Sequence, residues 1–321
     1  MSTRAYGTAD AFVLALTGGV GGAKLCLGLQ RVLPAGALRV IVNTGDDFEH
    51  LGLAISPDVD TTLYTLAGLA NTELGWGRQD ETWSFMRVLA TLGGPTWFRL
   101  GDADLALHIE RTRRLAAGET LTNIIADVAR RFGIPSRVLP MSDDSVRTMV
   151  GTAEGELGFQ EYFVRERCAP EVTRLRYAGA DSARIASAAA DSLEDPRLAA
   201  IIIAPSNPYL SIDPALAIPG MRSALHARRA PVIAVTPLIG DAAVKGPTAK
   251  IMRELGLAPS ALTVCEHYRN LIDGFVLDER DAALAGRLAL PMKLCDTLMH
   301  SLEDRERVAR CALALAQELR N

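Results

Sequence analysis

Apolar and polar positions along the first 45 residues fall into three blocks. Phe12 to Leu16 is apolar throughout, residues 22–33 carry the helical pattern Leu25, Leu27, Gly28, Leu29, Val32 and Leu33, and Leu38 to Val42 is again strand-like. A short unbroken apolar run predicts a strand buried on both faces, and the 3.6-residue period between two such runs predicts a crossing helix. The alternation returns later with strand Ala199 to Ala204, helix 215–227, strand Pro231 to Thr236, helix 247–255, the short strand Gly274 to Leu277 and a terminal helix over 301–319. Between the two stretches, residues 81–133 have helical periodicity broken by Gly93-Gly94-Pro95 and Gly118, and residues 145–177 are β-like. Strands of this kind, separated by helices, imply an α/β, Rossmann-like fold: a mostly parallel sheet flanked by helices, with a helical insertion or subdomain. The expected division is a nucleotide-binding core from 12–80 and 196–320, and an inserted helical and small β region from 81–195 that forms part of the substrate cleft.

Parallel sheets of this class bind ligands at the carboxyl ends of their strands, and the polar clusters sit there. Between the first strand and helix lies Thr17-Gly18-Gly19-Val20-Gly21-Gly22-Ala23-Lys24. Free N–H groups at a helix start and the helix dipole attract phosphate. The string departs from a Walker loop, which needs Ser or Thr where Leu25 stands, and from a dinucleotide fingerprint, which needs a glycine where Lys24 stands. After the second strand come Asn43-Thr44-Gly45-Asp46-Asp47 and Ser56-Pro57-Asp58-Val59-Asp60. Carboxylates beside a phosphate loop suit an oxygen-ligand cation such as magnesium. The competing reading makes Gly45-Asp46-Asp47 a solvated turn and Ser56-Pro57-Asp58 a helix cap with Pro at its first position. Two later strands end in Pro205-Ser206-Asn207-Pro208 and in Pro237 running on to Val244-Lys245-Gly246-Pro247, loops able to grip a base or its phosphates.

Composition narrows the class. With 321 residues, 49% hydrophobic and 22% charged, the chain has the make-up of an ordinary globular protein that buries a substantial core. A net charge of -4 and few aromatics argue against a nucleic-acid partner. Five cysteines without C-x-x-C spacing point to reduced thiols and a cytoplasmic setting. No apolar run approaches the roughly twenty residues of a membrane span and no leader pattern opens the chain, so no membrane partner is expected. The histidines lack zinc spacing and no G-x-S-x-G elbow occurs.

Taken in order, several strings resemble the 2-phospho-L-lactate transferase family of coenzyme F-420 biosynthesis. They are Gly18 to Lys24, Asn43 to Asp47, Ser56 to Thr61, Leu100-Gly101-Asp102, Leu139 to Asp144, Phe159-Gln160-Glu161-Tyr162, Ala204 to Pro208, Val244 to Pro247 and Asp296-Thr297-Leu298-Met299. The resemblance runs from about residue 12 to about 318. It implies transfer of a phosphorylated three-carbon acid from its guanosine diphosphate conjugate to the ribityl hydroxyl of the deazaflavin Fo, with release of GMP, magnesium as cation and a homodimeric assembly. By position it implies that Asp60 and Arg99 contact Fo, with Asp60 orienting the hydroxyl. Gly18, Gly19, Gly21, Gly22, Lys24, Ser206 and Asn207 would hold the nucleotide, and Asp46, Asp47 and Asp58 the metal. Where some relatives have Thr-Gly-Thr-Pro-Lys, this chain has Val20-Gly21-Gly22-Ala23-Lys24, which keeps the lysine. Two other readings stand beside it: a non-catalytic, nucleotide-sugar-binding regulator of the same fold, and a Rossmann dehydrogenase. The second expects an acidic residue ending the second strand, where this chain has Asn43-Thr44-Gly45.

Overall fold

Seven short segments rich in Val, Ile and Leu lie side by side at the centre of the protein. The computed structural model describes residues 11–240, the backbone of 242 and 243, and residues 246–320. The strands are β1 (Phe12–Thr17), β2 (Leu38–Val42), β3 (Arg137–Pro140), β4 (Leu198–Ile203), β5 (Val232–Val235), β6 (Gly274–Asp278) and β7 (Met292–Cys295). They form one sheet in the order β7-β6-β5-β4-β1-β2-β3, and every neighbouring pair is parallel.

Successive residues of a strand point to opposite faces, and here both faces are buried. Val13 and Ala15 of β1 pack with Ala200 and Ile202 of β4 under α1 (Gly19–Val32), α2 (Pro57–Ala67) and the C-terminal helix (Leu302–Arg320). Leu14, Leu16, Ile201 and Ile203 face the other layer, formed by helices such as Ser187–Glu194 and Met221–Ala227. This is the expected α/β architecture, and no helix among the described residues is long and apolar enough to cross a membrane.

Several boundaries differ from the sequence reading for local reasons. Helix α1 begins at Gly19, so Gly21 and Gly22 lie in its first turn rather than in a loop. The helix expected over 215–227 is two pieces, Asp213–Leu216 and Met221–Ala227, because Pro219-Gly220 interrupts it. Strands β3 and β7 at the two edges were not anticipated, and β3 pairs with β2 although it lies within the span 81–195. That span also supplies α3 (Ser84–Thr91), α4 (Asp102–Ala116), α5 (Leu121–Arg131) and a three-stranded antiparallel sheet of Arg147–Thr152 flanked by Gly155–Gly158 and Arg174–Ala178. Ile124, Ile125 and Val128 of α5 belong to the main core.

Candidate functional site

Strand order reverses between β1 and β4, the place where an open α/β sheet leaves a crevice beyond its strand ends. The two loops that leave these strands meet there. Gly18 donates its N–H to Ser206 Oγ at 3.1 Å, and the Ser206 hydroxyl donates to the Gly18 carbonyl at 2.8 Å. The contact needs small residues: a Cβ on Gly22 would lie 2.5 Å from Ser206 Oγ, and one on Gly18 2.5 Å from Asp58 Oδ2. Asn207 spends its carbonyl oxygen on the N–H groups of Tyr209 and Leu210, and its buried amide nitrogen has no hydrogen-bond partner.

The start of α1 is shared with an acid. Asp58 lies in the first turn of α2, which opens with Pro57, but its Oδ1 accepts from Gly19 N–H of α1 at 2.8 Å. Gly18 and Gly19 are thereby satisfied, which leaves Val20 and Gly21 as first-turn amides without an intrahelical acceptor. Ser56 occupies the cap position of α2 yet donates its hydroxyl to Asp47 Oδ2 at 2.8 Å.

Asp46, Asp47 and Asp58 are all buried. Asn43 ties Asp46 and Asp58 together, donating from Nδ2 to Asp58 Oδ2 at 2.9 Å, to Asp46 Oδ1 at 3.2 Å and to the Leu210 carbonyl at 3.2 Å. Loss of water raises the pKa of each: Asp47 is pushed up to about 7 and Asp58 to about 6. Asp46 is raised well above the usual carboxylate range by burial and by the neighbouring Asp58 charge. Asp47 Oδ1 is buried without a hydrogen-bond partner. An oxygen-ligand cation beside Asp46 and Asp58 would offset their lost hydration and repulsion, but among the described residues Asp46, Asp47 and Asp58 do not bring one oxygen each within 4.8 Å of one another.

Asp60 belongs to a different network. Both of its oxygens accept from the fully buried Arg111 of α4, at 3.1 Å from Nη1 to Oδ2 and in a second, shorter bond from Nη2 to Oδ1. His108 sits 3.7 Å from Asp60 through Nδ1 and 3.1 Å from Asp104 through Nε2, and the Tyr64 hydroxyl donates to Asp104 at 2.6 Å. Asp60, Asp104 and His108 present one ligand atom each within 4.8 Å of one another, a possible metal-binding triad. Arg111 is paired with Asp60, and although burial pushes the Asp104 carboxyl up, His108, the Tyr64 hydroxyl and the Arg111 charge together hold it below its usual range.

Arg99 is exposed, with its guanidinium 4.2 Å from the centre of the Trp83 ring and 5.8 Å from that of Trp76. Trp76, Trp83, Gly101 and Asp104 line one small pocket. Arg99 and Asp60 belong to separate sets of contacts, with Asp104 present both in the pocket beside Trp83 and in the cluster with Asp60 and His108.

Lys24 Nζ donates to the Met299 carbonyl at 2.7 Å, tying α1 to the loop that follows β7. Val244 and Lys245 lie outside the described residues. Next to the acidic loop opens a cavity of about 440 Å³, with Asp46, Asp47 and His50 on one side and Trp97, Arg147 and Thr148 among its other walls.

Comparison with known proteins decides the family. The family model for 2-phospho-L-lactate transferase CofD matches residues 13–293. A phosphoenolpyruvate transferase of Streptomyces coelicolor is 39% identical over 317 residues, covering 96% of this chain and 99% of the relative. A 2-phospho-L-lactate transferase of Methanosarcina acetivorans is 38% identical over 306 residues, covering 94% and 98%. This chain belongs to the 2-phospho-L-lactate transferase CofD family. It is a transferase of coenzyme F-420 biosynthesis. A crystal structure of a UPF0052-family protein from Bacillus halodurans shares the fold, with a TM-score of 0.61 at 15% identity, covering 96% of this chain and 100% of that one.

The transferase thus gathers Gly18, Gly19, Gly21, Gly22, Ser206, Asn207, Asp46, Asp47 and Asp58 at one strand-end crevice. Lys24, Asp60 and Arg99 are engaged by neighbours of their own. Sequence reasoning passed over Asn43 as an organiser of the acids, and over Arg111, His108, Arg147 and Thr148. The Asp104-x-x-x-His108 spacing, one turn on a helix, carried a readable signal, whereas Arg111 reaches Asp60 across 51 residues with no local pattern.

Proposed function

We propose that the transferase moves a phosphorylated three-carbon acid from its guanosine diphosphate conjugate onto the ribityl hydroxyl of the deazaflavin Fo, releasing GMP. The observation that carries this reading is the meeting of Gly18, Ser206 and Asp58 at the strand-order reversal, beside buried, crowded Asp46 and Asp47. The free first-turn amides of α1 and the Asn207 amide nitrogen bind diphosphate oxygens at this point. Magnesium held by Asp46, Asp47 and Asp58 would neutralise charge on the diphosphate and the leaving GMP.

Direct transfer asks the protein to align the hydroxyl, the phosphorus and the leaving oxygen, and to exclude water. Asp60, its oxygens fixed by Arg111, orients the Fo hydroxyl, and Arg99 with its tryptophans holds the deazaflavin end. Phospholactate, phosphoenolpyruvate and phosphoglycerate are the candidate acids, and the relatives named for two of these chemistries lie at 39% and 38% identity, too close to choose between them. A second copy of the chain is the proposed assembly partner. Isothermal titration of GDP with and without magnesium tests the nucleotide and metal assignment: binding tightened by the cation supports it, and no guanine-nucleotide affinity in either condition defeats it.

A further inference from the structure

We propose that Arg147 and Thr148 bind the carboxylate of the three-carbon acid. This assignment rests on the transferase reading above and names the residues of its donor site that recognise the acid group.

Arg147 opens the central strand of the small antiparallel sheet and lines the 440 Å³ cavity together with Asp46 and Asp47. Its guanidinium makes no ion pair among the described residues, and its one hydrogen bond runs from Nη1 to the Val146 carbonyl at 2.7 Å. Arg165, on the same cavity, is already committed: it pairs with Glu161 at 2.8 Å and lies 4.5 Å from the centre of the Trp97 ring. Arg147 is therefore a cation on this cavity that no carboxylate among the described residues pairs, with donors to spare.

Thr148 adds a second donor at the same place. It is 1% exposed, and its hydroxyl is buried without a hydrogen-bond partner, although it lines the cavity. Its main chain is not free to drift, because Thr148 N–H donates to the Gly45 carbonyl at 2.7 Å and locks the strand to the acidic loop. His50 Nε2, on the facing wall, is likewise buried and unpartnered. Leaving such groups unpaired is costly, so a polar occupant of the cavity is expected.

The chemistry of that occupant follows from the donors. A planar guanidinium and a hydroxyl together match the two oxygens of a carboxylate. The phosphate of the bound donor is accounted for by the glycine turn and the cation at the acids. In a 2-phospho acid the carboxylate is borne by the carbon that also bears the phosphate ester, so it projects from the acids toward Arg147.

The test compares the guanosine diphosphate conjugate of the preferred acid with the same conjugate carrying a carboxamide in place of the carboxylate. The parent enzyme is expected to favour the carboxylate by roughly tenfold to a hundredfold in kcat/KM. In Arg147→Gln that preference collapses toward unity and in Thr148→Val it shrinks, while GDP affinity, measured by calorimetry, and the KM for Fo stay within about twofold of the parent. Unchanged GDP binding also shows that each variant is folded. Retained carboxylate preference in both variants overturns the assignment, as does a loss of GDP affinity in step with activity. A parent that turns over no conjugate defeats the transferase reading itself, a result distinct from either.

Discussion

Gly18 and Ser206 stand 188 residues apart in the chain and exchange two hydrogen bonds, the glycine N–H to Ser206 Oγ at 3.1 Å and the serine hydroxyl to the glycine carbonyl at 2.8 Å. The pair joins the loops that leave the central strands β1 and β4, at the crevice proposed to hold the nucleotide. Ser206→Ala leaves a buried N–H and carbonyl without partners and is expected to cost about 1–3 kcal/mol of stability. Urea unfolding of the variant checks this, and GDP affinity should fall as well. Parent-like unfolding would show that the contact contributes nothing.

The acidic cluster makes a prediction about pH and metal. Burial lifts Asp47 from an ordinary value of 3.8 to about 7 and Asp58 to about 6, so the folded protein holds these protons more tightly than the unfolded chain. The stability they contribute is fully present below about pH 4 and is lost as pH rises through about 6 to 7. A cation restores it only where the carboxylates have ionised. Magnesium is therefore expected to raise the thermal midpoint more at about pH 8 than at about pH 5. Scanning calorimetry with magnesium or with chelator at both values decides the matter, and an equal shift at both would contradict the assignment.

Arg111 and Asp60 are a buried ion pair, 1% and 5% exposed. Removing one partner strands the other charge, so Arg111→Leu should cost about 3–5 kcal/mol, whereas Asp60→Asn combined with Arg111→Leu should recover much of it. A double-mutant cycle in denaturant measures the coupling. Strictly additive losses would mean that the pair is not a unit.

How much of this was legible in the chain depended on burial and distance. β1, β2, β4, β5 and β6 announced themselves because strands buried on both faces are largely apolar along their length, as in Val232–Val235. β7 did not, since an edge strand leaves residues such as Lys293 and Leu294 partly in solvent, and in β3 Pro140 and the exposed Arg137 leave only Val138 and Leu139 as an apolar run. The Ser-Pro-Asp signature correctly marked the start of α2. Its Asp58 nevertheless serves α1, a contact 39 residues away that no local spacing encodes. Lys24 illustrates the same limit: no local spacing marks the hydrogen bond from its amine to the Met299 carbonyl, 275 residues on.

The central claim is the reaction itself. Purified protein incubated with Fo, magnesium and, in separate reactions, the guanosine diphosphate conjugates of phospholactate, phosphoenolpyruvate and phosphoglycerate can be followed by mass spectrometry. The account predicts that at least one conjugate gives Fo carrying the phosphorylated acid, with GMP released in equal amount and with product formation abolished by chelator. No Fo adduct from any of the three, in the presence of demonstrable GDP binding, would contradict it.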